Sequence, residues 1–404
     1  MRALETVAGL EGFERRGAGT DSERRAASWL ADRLSRAGRE VVVEPFWCRP
    51  NWPLAHVWHV GLALAGSLVS VASAQAGALM LLAALVSILA DAFTGLSPGR
   101  RLTSERASQN VVAIPRTAQD KVRLIITANY DAGRAGLAYR AGFRRVSSAL
   151  RRAARGLTPG WLGWLWLTIA GLLALAILRI EGHNSSTIGA IQLAPTIVLV
   201  LAVALLLELA TADPGPASGD NGTGVAVAVE LARVLDAAPP RHLTVEIVLQ
   251  GAGDGGGIGL RRYLRARRTE LTPLNTIVLG IAACSGGASR WWTSDGQLVP
   301  VRYNRNLAGL CARIASEEPD LGAAPHHGRG SAPGLPGRLL RRPAISIGCL
   351  DPRGLVPRSH QRDDVVNNIE PASLDKGVQF GLMLVDQIDA WLAANQRQEA
   401  VTRA

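Results

Sequence analysis

Polar residues follow a short apolar stretch at residues 124–133, which reads LIITANYDAG. Residues 124–128 have the composition of a buried strand, and Asn129 and Asp131 come where that strand should end. Open α/β sheets place their chemistry at the carboxyl ends of their strands. An amide and a carboxylate at this position therefore indicate a binding or catalytic edge.

A second acidic position is Asp220, in the segment GDNGTGVAVAVELARVL at residues 219–235. The segment is a glycine-rich loop that opens directly into an amphipathic helix. A carboxylate beside a helix start can hold a cation with one oxygen and accept backbone N–H groups with the other. The alternative is an ordinary aspartate cap of the helix.

Two pairs of histidines are further candidates. His326 and His327 are adjacent in the glycine- and proline-rich segment AAPHHGRGSAPG, which predicts a solvated loop more readily than a site. His56 and His59 are spaced to share one face of an apolar helix. Packing is the default role for the second pair, and a proton or ion pathway is the alternative.

The elements that must position these residues alternate between helix and strand. Helices are predicted at residues 21–37, 224–235 and 371–392, and strands at residues 40–46, 110–114, 122–128, 243–249, 276–281 and 343–347. Such alternation is typical of an α/β fold with a mixed, mostly parallel sheet flanked by helices. We expect that fold for the soluble part of the chain.

Two apolar blocks interrupt the alternation, at residues 54–90 and 161–210. A membrane-spanning helix needs roughly 20 apolar residues. The second block holds two such stretches separated by RIEGHNSS, and the first holds a tight pair with its turn near Ser73, Gln75 and Gly77. The sequence therefore predicts four transmembrane helices in two hairpins. A single long or re-entrant helix is the alternative for the first block.

The hairpins divide the chain into segments. Residues 1–53, 91–160 and 211–397 are predicted to form one discontinuous α/β domain, followed by a tail at residues 398–404. The segments that flank the hairpins are rich in arginine, whereas the inter-helix turns carry little charge, and the positive-inside rule then places the domain in the cytoplasm. We expect an integral protein of a bacterial-type cell membrane.

The net charge of +11 is partly concentrated before the second hairpin, where residues 134–155 contain seven arginines and no acid. A basic segment beside a membrane helix indicates contact with anionic lipid headgroups, and a solvated face that only fixes topology is the alternative. No zinc-finger pattern or aromatic–basic strip indicates nucleic acid. Four scattered cysteines fit reduced thiols in a cytosolic compartment.

The segments outside the hairpins follow a recognisable order. They are GAGTDSERRAASWLADRLSRAGREVVVEPF, NVVAIP, LIITANYDAG, GDNGTGVAVAVELARVL, GAGDGGGIGLRRYL, RRPAISIG and SHQRDDVVNNIEPASLDKGVQFGLMLVDQID. The series resembles the M28 family of zinc aminopeptidases. In that family one strand ends in His-x-Asp, a loop contains Asp-Asn-x-Ser-Gly, two further strands end in Glu-Glu and in Asp, and a late His precedes Asp-Thr. The resemblance covers essentially all of the chain outside the hairpins.

The resemblance implies roles for individual residues. Asp220 corresponds to the carboxylate that bridges two zinc ions, Asp254 to a glutamate ligand one methylene longer, and His360 to the late histidine ligand. Asp131 is retained from the His-x-Asp strand end. Asp364 is expected to hold the ligand residues in position without binding the metal itself. The alternative for His360 is a surface histidine paired with a neighbouring aspartate.

Three positions depart from the family pattern. Asn129 stands in place of the first histidine ligand, Gly253 in place of the general base, and Ala282 at or near the strand-end aspartate. One set of zinc ligands has therefore lost all but the bridging carboxylate. The other set survives as two carboxylates and an imidazole, which leaves room for one zinc ion with water in an open position.

The missing base decides the expected function. Proton transfer by a positioned side chain contributes roughly 10²–10⁴-fold to such a hydrolysis. We therefore expect a membrane-tethered pseudopeptidase that keeps the cleft for binding or scaffolding, with peptides among the candidate ligands. The alternative is a mono-zinc aminopeptidase or a related amide hydrolase. A small-molecule transporter is disfavoured because the four spans carry almost no charge.

Overall fold

The computed structural model describes residues 2–115, 121–153 and 158–403. Within these residues nine strands form one mixed sheet. The strands are β1 Glu40–Cys48, β2 Arg106–Ile114, β3 Val122–Asn129, β4 Leu243–Gln250, β5 Thr276–Ile281, β6 Ala288–Asp295, β7 Val301–Arg302, β8 Ala324–His327 and β9 Ala344–Leu350. Their order across the sheet is β1-β2-β4-β3-β5-β9-β6-β7, and β8 pairs with β6.

The centre of the sheet is parallel. Strands β4, β3, β5 and β9 lie side by side in one direction. The pairs β1–β2, β2–β4, β6–β7 and β6–β9 are antiparallel, and β8 pairs with β6 in parallel. Every residue of β4, β5 and β9 is buried. Strands covered on both faces need continuous apolar runs, and TIVLGI and AISIGCL provide them. The predicted fold class is confirmed.

Helices cover the sheet and form a separate bundle. They are α1 Arg2–Glu11, α2 Asp21–Arg36, α3 Trp52–Ala72, α4 Ala74–Thr94, α5 Pro98–Arg101, α6 Ala141–Ala153, α7 Trp161–Ile180, α8 Ser186–Thr211, α9 Gly224–Ala237, α10 Ile258–Ala266, α11 Arg305–Glu317, α12 Leu335–Leu339 and α13 Pro371–Arg403. Helix α13 continues through the residues predicted as a tail, and residue 404 lies outside the described residues.

Helices α3, α4, α7 and α8 form the bundle. All four are long and apolar enough to cross a membrane, by length and composition. Buried leucine, isoleucine and valine side chains fill the interior, and Gln192 of α8 donates to the carbonyl of Ser67 on α3 over 2.7 Å. The most apolar window of α8 is only 17% buried, so most of its side chains face outward, as expected of lipid-facing helices.

Arginines of α10 hold the bundle against the sheet. Arg261 donates to the carbonyl of Phe93 over 2.8 Å, and Arg265 donates to the carbonyl of Thr94 over 2.6 Å. These carbonyls belong to the last turn of α4, which has no intrahelical donors for them. The end of the first hairpin is thereby fixed to the helix that follows β4.

A buried polar cluster lies where the first hairpin meets the domain. Nδ1 of His59 lies 3.2 Å from Nδ1 of His56, and Nε2 of His56 lies 3.9 Å from Asp91. Asp91 also accepts from Ser97 over 2.9 Å and pairs with Arg100 over 2.7 Å. We call these five residues the hairpin polar cluster. The spacing of the two histidines thus places them on one buried helix face.

The sequence analysis did not predict the strands at the edge of the sheet opposite to β1. Strands β6, β7 and β8 were not predicted, and the segment that contains His326 and His327 forms β8 rather than the expected solvated loop. Strand β8 exists because its backbone pairs with β6 in parallel register. Such pairing is set by tertiary context, which overrides a glycine- and proline-rich composition.

Candidate functional site

The carboxyl ends of the parallel strands form the candidate site. Strand β3 ends at Asn129, the turn after β4 carries Gly253 and Asp254, and Ala282 directly follows β5. The loop before α9 supplies Asp220 at the same edge. In open α/β folds this edge is where ligands bind.

Asp254 and His360 are in contact. Nε2 of His360 lies 3.6 Å from Oδ1 of Asp254, and Nδ1 lies 3.0 Å from the carbonyl oxygen of Arg134. The imidazole stacks on Tyr139, with centroids 4.1 Å apart and planes 11° apart. The backbone of His360 is left-handed, with φ of 57°, which is uncommon for a residue other than glycine. Partners on both ring edges and one face fix this imidazole beside Asp254.

Asp364 holds the Asp220 loop. Its carboxylate accepts the backbone N–H groups of Gly219 over 2.8 Å and of Asp220 over 3.0 Å. Burial raises the pKa of the Asp364 carboxyl to about 7 in spite of these hydrogen bonds. Oδ2 of Asp220 accepts from the hydroxyl of Ser359 over 2.6 Å. Asp364 therefore fixes the backbone of the loop, and Ser359 fixes its carboxylate.

Two buried acids hold the turn after β4. Asp131 is 1% exposed and accepts the N–H groups of Gly253 over 2.8 Å and of Asp254 over 3.1 Å. Glu23 of α2 accepts the N–H of Ala252 over 2.9 Å. Burial raises the pKa of both carboxyls, that of Glu23 to about 7. Asp131 and Glu23 thus act on the backbone that presents Asp254.

The three departures from the M28 pattern leave little room at the strand ends. Nδ2 of Asn221 donates to Oδ1 of Asn129 over 3.1 Å and to the carbonyl of Ile281 over 3.0 Å. A Cβ added to Gly253 would lie 2.2 Å from Cβ of Asn129. Ala282 is 8% exposed and carries no polar group. The strand ends and the turn are therefore closely packed.

Comparison with known proteins shows what fold this is. No family model and no curated protein matches the sequence. Among solved structures, the LapA aminopeptidase of Legionella pneumophila is 10% identical, with a TM-score of 0.52 over 96% of this chain and 71% of its own. BSAP, a zinc aminopeptidase from Bacillus subtilis, is 13% identical, with a TM-score of 0.54 over 95% of this chain and 94% of its own. The chain has the M28 aminopeptidase fold.

The M28-type fold does not by itself select a reaction. A glutaminyl cyclase from Bacteroides thetaiotaomicron is 14% identical to this chain, with a TM-score of 0.53 over 95% of this chain and 96% of its own. Proteins named as zinc aminopeptidases and as a cyclase therefore share the fold. Function has to be argued from the side chains at the site.

A zinc ion is poorly matched to the side chains at the site. Catalytic zinc takes three protein ligands and a water. In the part of the chain that the structure describes, no group of three or more His, Cys, Asp or Glu side chains is arranged to hold a metal ion. Asp254 and His360 supply two donors, and Asp220 is hydrogen-bonded to Ser359. As arranged, the three predicted ligands do not form a zinc site.

Trp52 is a site residue that sequence reasoning missed. Its indole Nε1 donates to Oδ2 of Asp254 over 3.3 Å, and its ring lies against Gly255, where an added Cβ would be 1.9 Å from Cδ1. The ring of Trp161 lies 5.5 Å away, so α3 and α7 both begin beside the site. Tryptophans at the ends of membrane helices usually indicate the lipid interface, so the type and position of Trp52 carry no signal for a contact with Asp254.

Proposed function

We propose that this chain is a membrane-anchored, non-catalytic protein of the M28 type that binds a ligand in its retained cleft. The contact between Asn129 and Gly253 carries the proposal. A side chain on Gly253 would start 2.2 Å from Cβ of Asn129, so the glutamate base of the M28 pattern has no space. Without that base, no group at this position takes the proton from an attacking water.

The remaining side chains suit a cationic ligand. Asp220 and Asp254 contribute negative charge, and Tyr139 and Trp52 contribute aromatic surface beside Asp254. Burial and the charges of the two aspartates raise the pKa of Tyr139, so its hydroxyl stays protonated. Carboxylates next to aromatic rings favour an ammonium group. A peptide or protein segment with a free amino terminus is the ligand class that this chemistry supports.

The two hairpins form the proposed membrane anchor. Each hairpin returns the chain to the side that it left, so the whole α/β domain lies on one side of the membrane. The arginine-rich flanks favour the cytoplasmic side. The anchor and the cleft are joined by Trp52, which belongs to α3 and donates to Asp254.

Orientation is tested with two single cysteine substitutions. All four native cysteines are buried, which leaves little background labelling. His183→Cys lies in the exposed turn between α7 and α8, and Leu274→Cys replaces a side chain of the domain that is 93% exposed. A membrane-impermeant maleimide added to intact cells is expected to label His183→Cys, and to label Leu274→Cys only after lysis. The reverse pattern would show that the domain lies outside.

The rival function is a mono-zinc hydrolase of peptides or related amides. The 3.6 Å contact between His360 and Asp254 favours it, because these two side chains supply two of the three protein ligands that a catalytic zinc ion takes. This enzyme would still lack a base at Gly253.

Zinc content and turnover separate the two functions. The full chain is purified in detergent, its zinc is quantified by mass spectrometry, and amino-acid release is followed from peptides with free amino termini. We expect far less than one zinc per chain and no release above the buffer rate in the wild type, Asp220→Ala and His360→Ala. One zinc per chain in the wild type that both substitutions remove, with turnover lost in parallel, would overturn the non-catalytic proposal.

A further inference from the structure

Helix α6 carries an exposed apolar face outside the membrane bundle. Phe143, Val146 and Leu150 are between 60% and 61% exposed, and their spacing of three and four residues places them on one face of the helix. We call these three residues the apolar ridge. Large apolar side chains that are exposed side by side usually mark a surface that contacts a protein or a membrane.

Another face of α6 docks on the α/β domain. The hydroxyl of Ser148 donates to the carbonyl of Arg353 over 2.7 Å, and the guanidinium of Arg144 donates to the carbonyl of Val356. Ser148 is buried and follows Val146 by two residues, which is about 200° around an α-helix. The docked face and the apolar ridge are therefore on opposite sides of α6, and the ridge points away from the domain.

The chain just before α6 is attached to the end of the membrane helix α8. The N–H of Leu137 donates to Oε2 of Glu208 over 3.0 Å, and Glu208 belongs to the last turn of α8, which ends at Thr211. Helix α6 begins at Ala141, four residues after Leu137. Four residues span at most about 14 Å. The start of α6 is therefore held close to the level at which α8 leaves the bundle.

The chain after α6 leads into the membrane helix α7. Helix α6 ends at Ala153, and α7 begins at Trp161. Tryptophan at the end of a membrane helix usually lies at the level of the lipid headgroups. The start of α7 and the end of α8 are the same end of one hairpin, so short segments connect both ends of α6 to that level. This arrangement favours a helix that lies along the membrane surface.

The charge of this segment favours lipid over a second copy of the chain as the partner of the apolar ridge. Arg140, Arg145 and Arg152 are exposed, and residues 134–155 contain no acid. Two copies that met through their ridges would bring like charges together, which is unfavourable. Anionic lipid headgroups instead attract basic residues near the membrane surface, and hydrocarbon would bury the exposed phenylalanine, valine and leucine side chains.

We propose that α6 is an interfacial helix whose apolar ridge inserts into the lipid leaflet next to the α/β domain. Amphipathic helices of this kind bury their apolar face about 5–10 Å into the boundary between headgroups and acyl chains. The domain would then contact the membrane through α6 in addition to its four spanning helices. The inference rests on the membrane-anchoring part of the proposed function and is independent of whether the M28-type cleft is catalytic.

The test places a nitroxide spin label on the apolar ridge of the full chain, in nanodiscs of phosphatidylglycerol and phosphatidylcholine that hold one chain each. All four native cysteines are buried, so Val146→Cys is labelled selectively. Electron paramagnetic resonance then compares the accessibility of the label to oxygen, which concentrates in hydrocarbon, with its accessibility to a nickel chelate, which stays in water. Three exposed positions serve as controls: Arg145→Cys on another face of α6, Leu274→Cys on the domain and Leu201→Cys on α8.

We expect the ratio of oxygen to nickel accessibility at Val146→Cys to approach that at Leu201→Cys and to exceed the ratios at Arg145→Cys and Leu274→Cys several-fold. Leu150→Cys, a second position on the apolar ridge, should behave as Val146→Cys does. A ratio at Val146→Cys as low as that at Leu274→Cys would place the ridge in water and overturn the inference. A label shielded from both reagents would indicate a protein contact and would overturn it as well.

The label on α8 distinguishes failure of this inference from failure of the membrane anchor. If Leu201→Cys is accessible to oxygen and Val146→Cys to the nickel chelate, the anchor stands and only the interfacial helix is refuted. If the nickel chelate reaches Leu201→Cys as readily as Leu274→Cys, α8 does not face lipid, and the proposed anchor is refuted together with the inference.

Discussion

Replacing Asp91 by alanine is expected to lower the free energy of unfolding by about 3–5 kcal/mol. Asp91 is 5% exposed and Arg100 is 7% exposed, and the guanidinium donates to both carboxylate oxygens over 2.7 and 2.8 Å. Alanine would leave the Arg100 charge buried without a carboxylate. The measurement is denaturant or thermal unfolding of the full chain in detergent.

Two controls make the Asp91 result specific to the buried pair. Asp213 pairs with Arg15 over 3.3 Å, but these side chains are 61% and 72% exposed, so Asp213→Ala should cost less than about 1 kcal/mol. Asp91→Ala/Arg100→Met removes both charges and should recover most of the loss. Equal effects of Asp91→Ala and Asp213→Ala would show that the hairpin polar cluster contributes little to stability.

The hairpin polar cluster connects the first hairpin to the candidate site. Asp91 and Arg100 join the end of α4 to α5, and His56 links them to α3, which begins at Trp52. Trp52 in turn donates to Asp254. We therefore expect a change in the packing of the first hairpin to affect Asp254 at the candidate site through the side chain of Trp52.

Elements whose stability is local were predictable from the sequence. The strand at residues 276–281 was predicted with the bounds that β5 has, because TIVLGI is a continuous apolar run. The helix that begins at Asp21 was also predicted, and its start is local because Thr20 caps it by accepting the N–H of Glu23 over 3.2 Å. Strand β8 was missed because its four residues form a strand only by pairing with β6.

Contacts between distant parts of the chain were not predictable. The order of the M28-like segments indicated that Asp254 and His360 would converge, and they are in contact. The bonds from Trp52 to Asp254 and from Ala252 to Glu23 join residues more than 200 positions apart, and no local pattern encodes them. Likewise, the sequence showed the positive charge of residues 134–155, but it did not indicate that arginines of this segment lie close to Arg290 and Arg329.

Gly253→Glu, the substitution that restores the M28 base, is expected to lower the free energy of unfolding by about 4 kcal/mol and to produce no peptidase turnover. The new Cβ would lie 2.2 Å from Cβ of Asn129 and 3.1 Å from Oδ1 of Asp131. Overpacking alone typically costs about 1–3 kcal/mol. The added carboxylate would also be buried beside the Asp131 carboxyl, which accepts bonds from this same turn. Unfolding and amino-acid release are measured on the same preparation.

The packing argument predicts a partial rescue of Gly253→Glu. Asn129→Gly removes the Cβ that the new side chain would strike, so Asn129→Gly/Gly253→Glu should be more stable than Gly253→Glu alone, with a coupling energy of about 1–3 kcal/mol. Gly309→Glu on α11 is the matched control, because no atom lies within 4 Å of an added Cβ there, and it should not be destabilising. If Gly253→Glu were as stable as Gly309→Glu, the strand end would have room for the base. The missing base would then be a single lost residue rather than a property of how β3 and the turn after β4 pack.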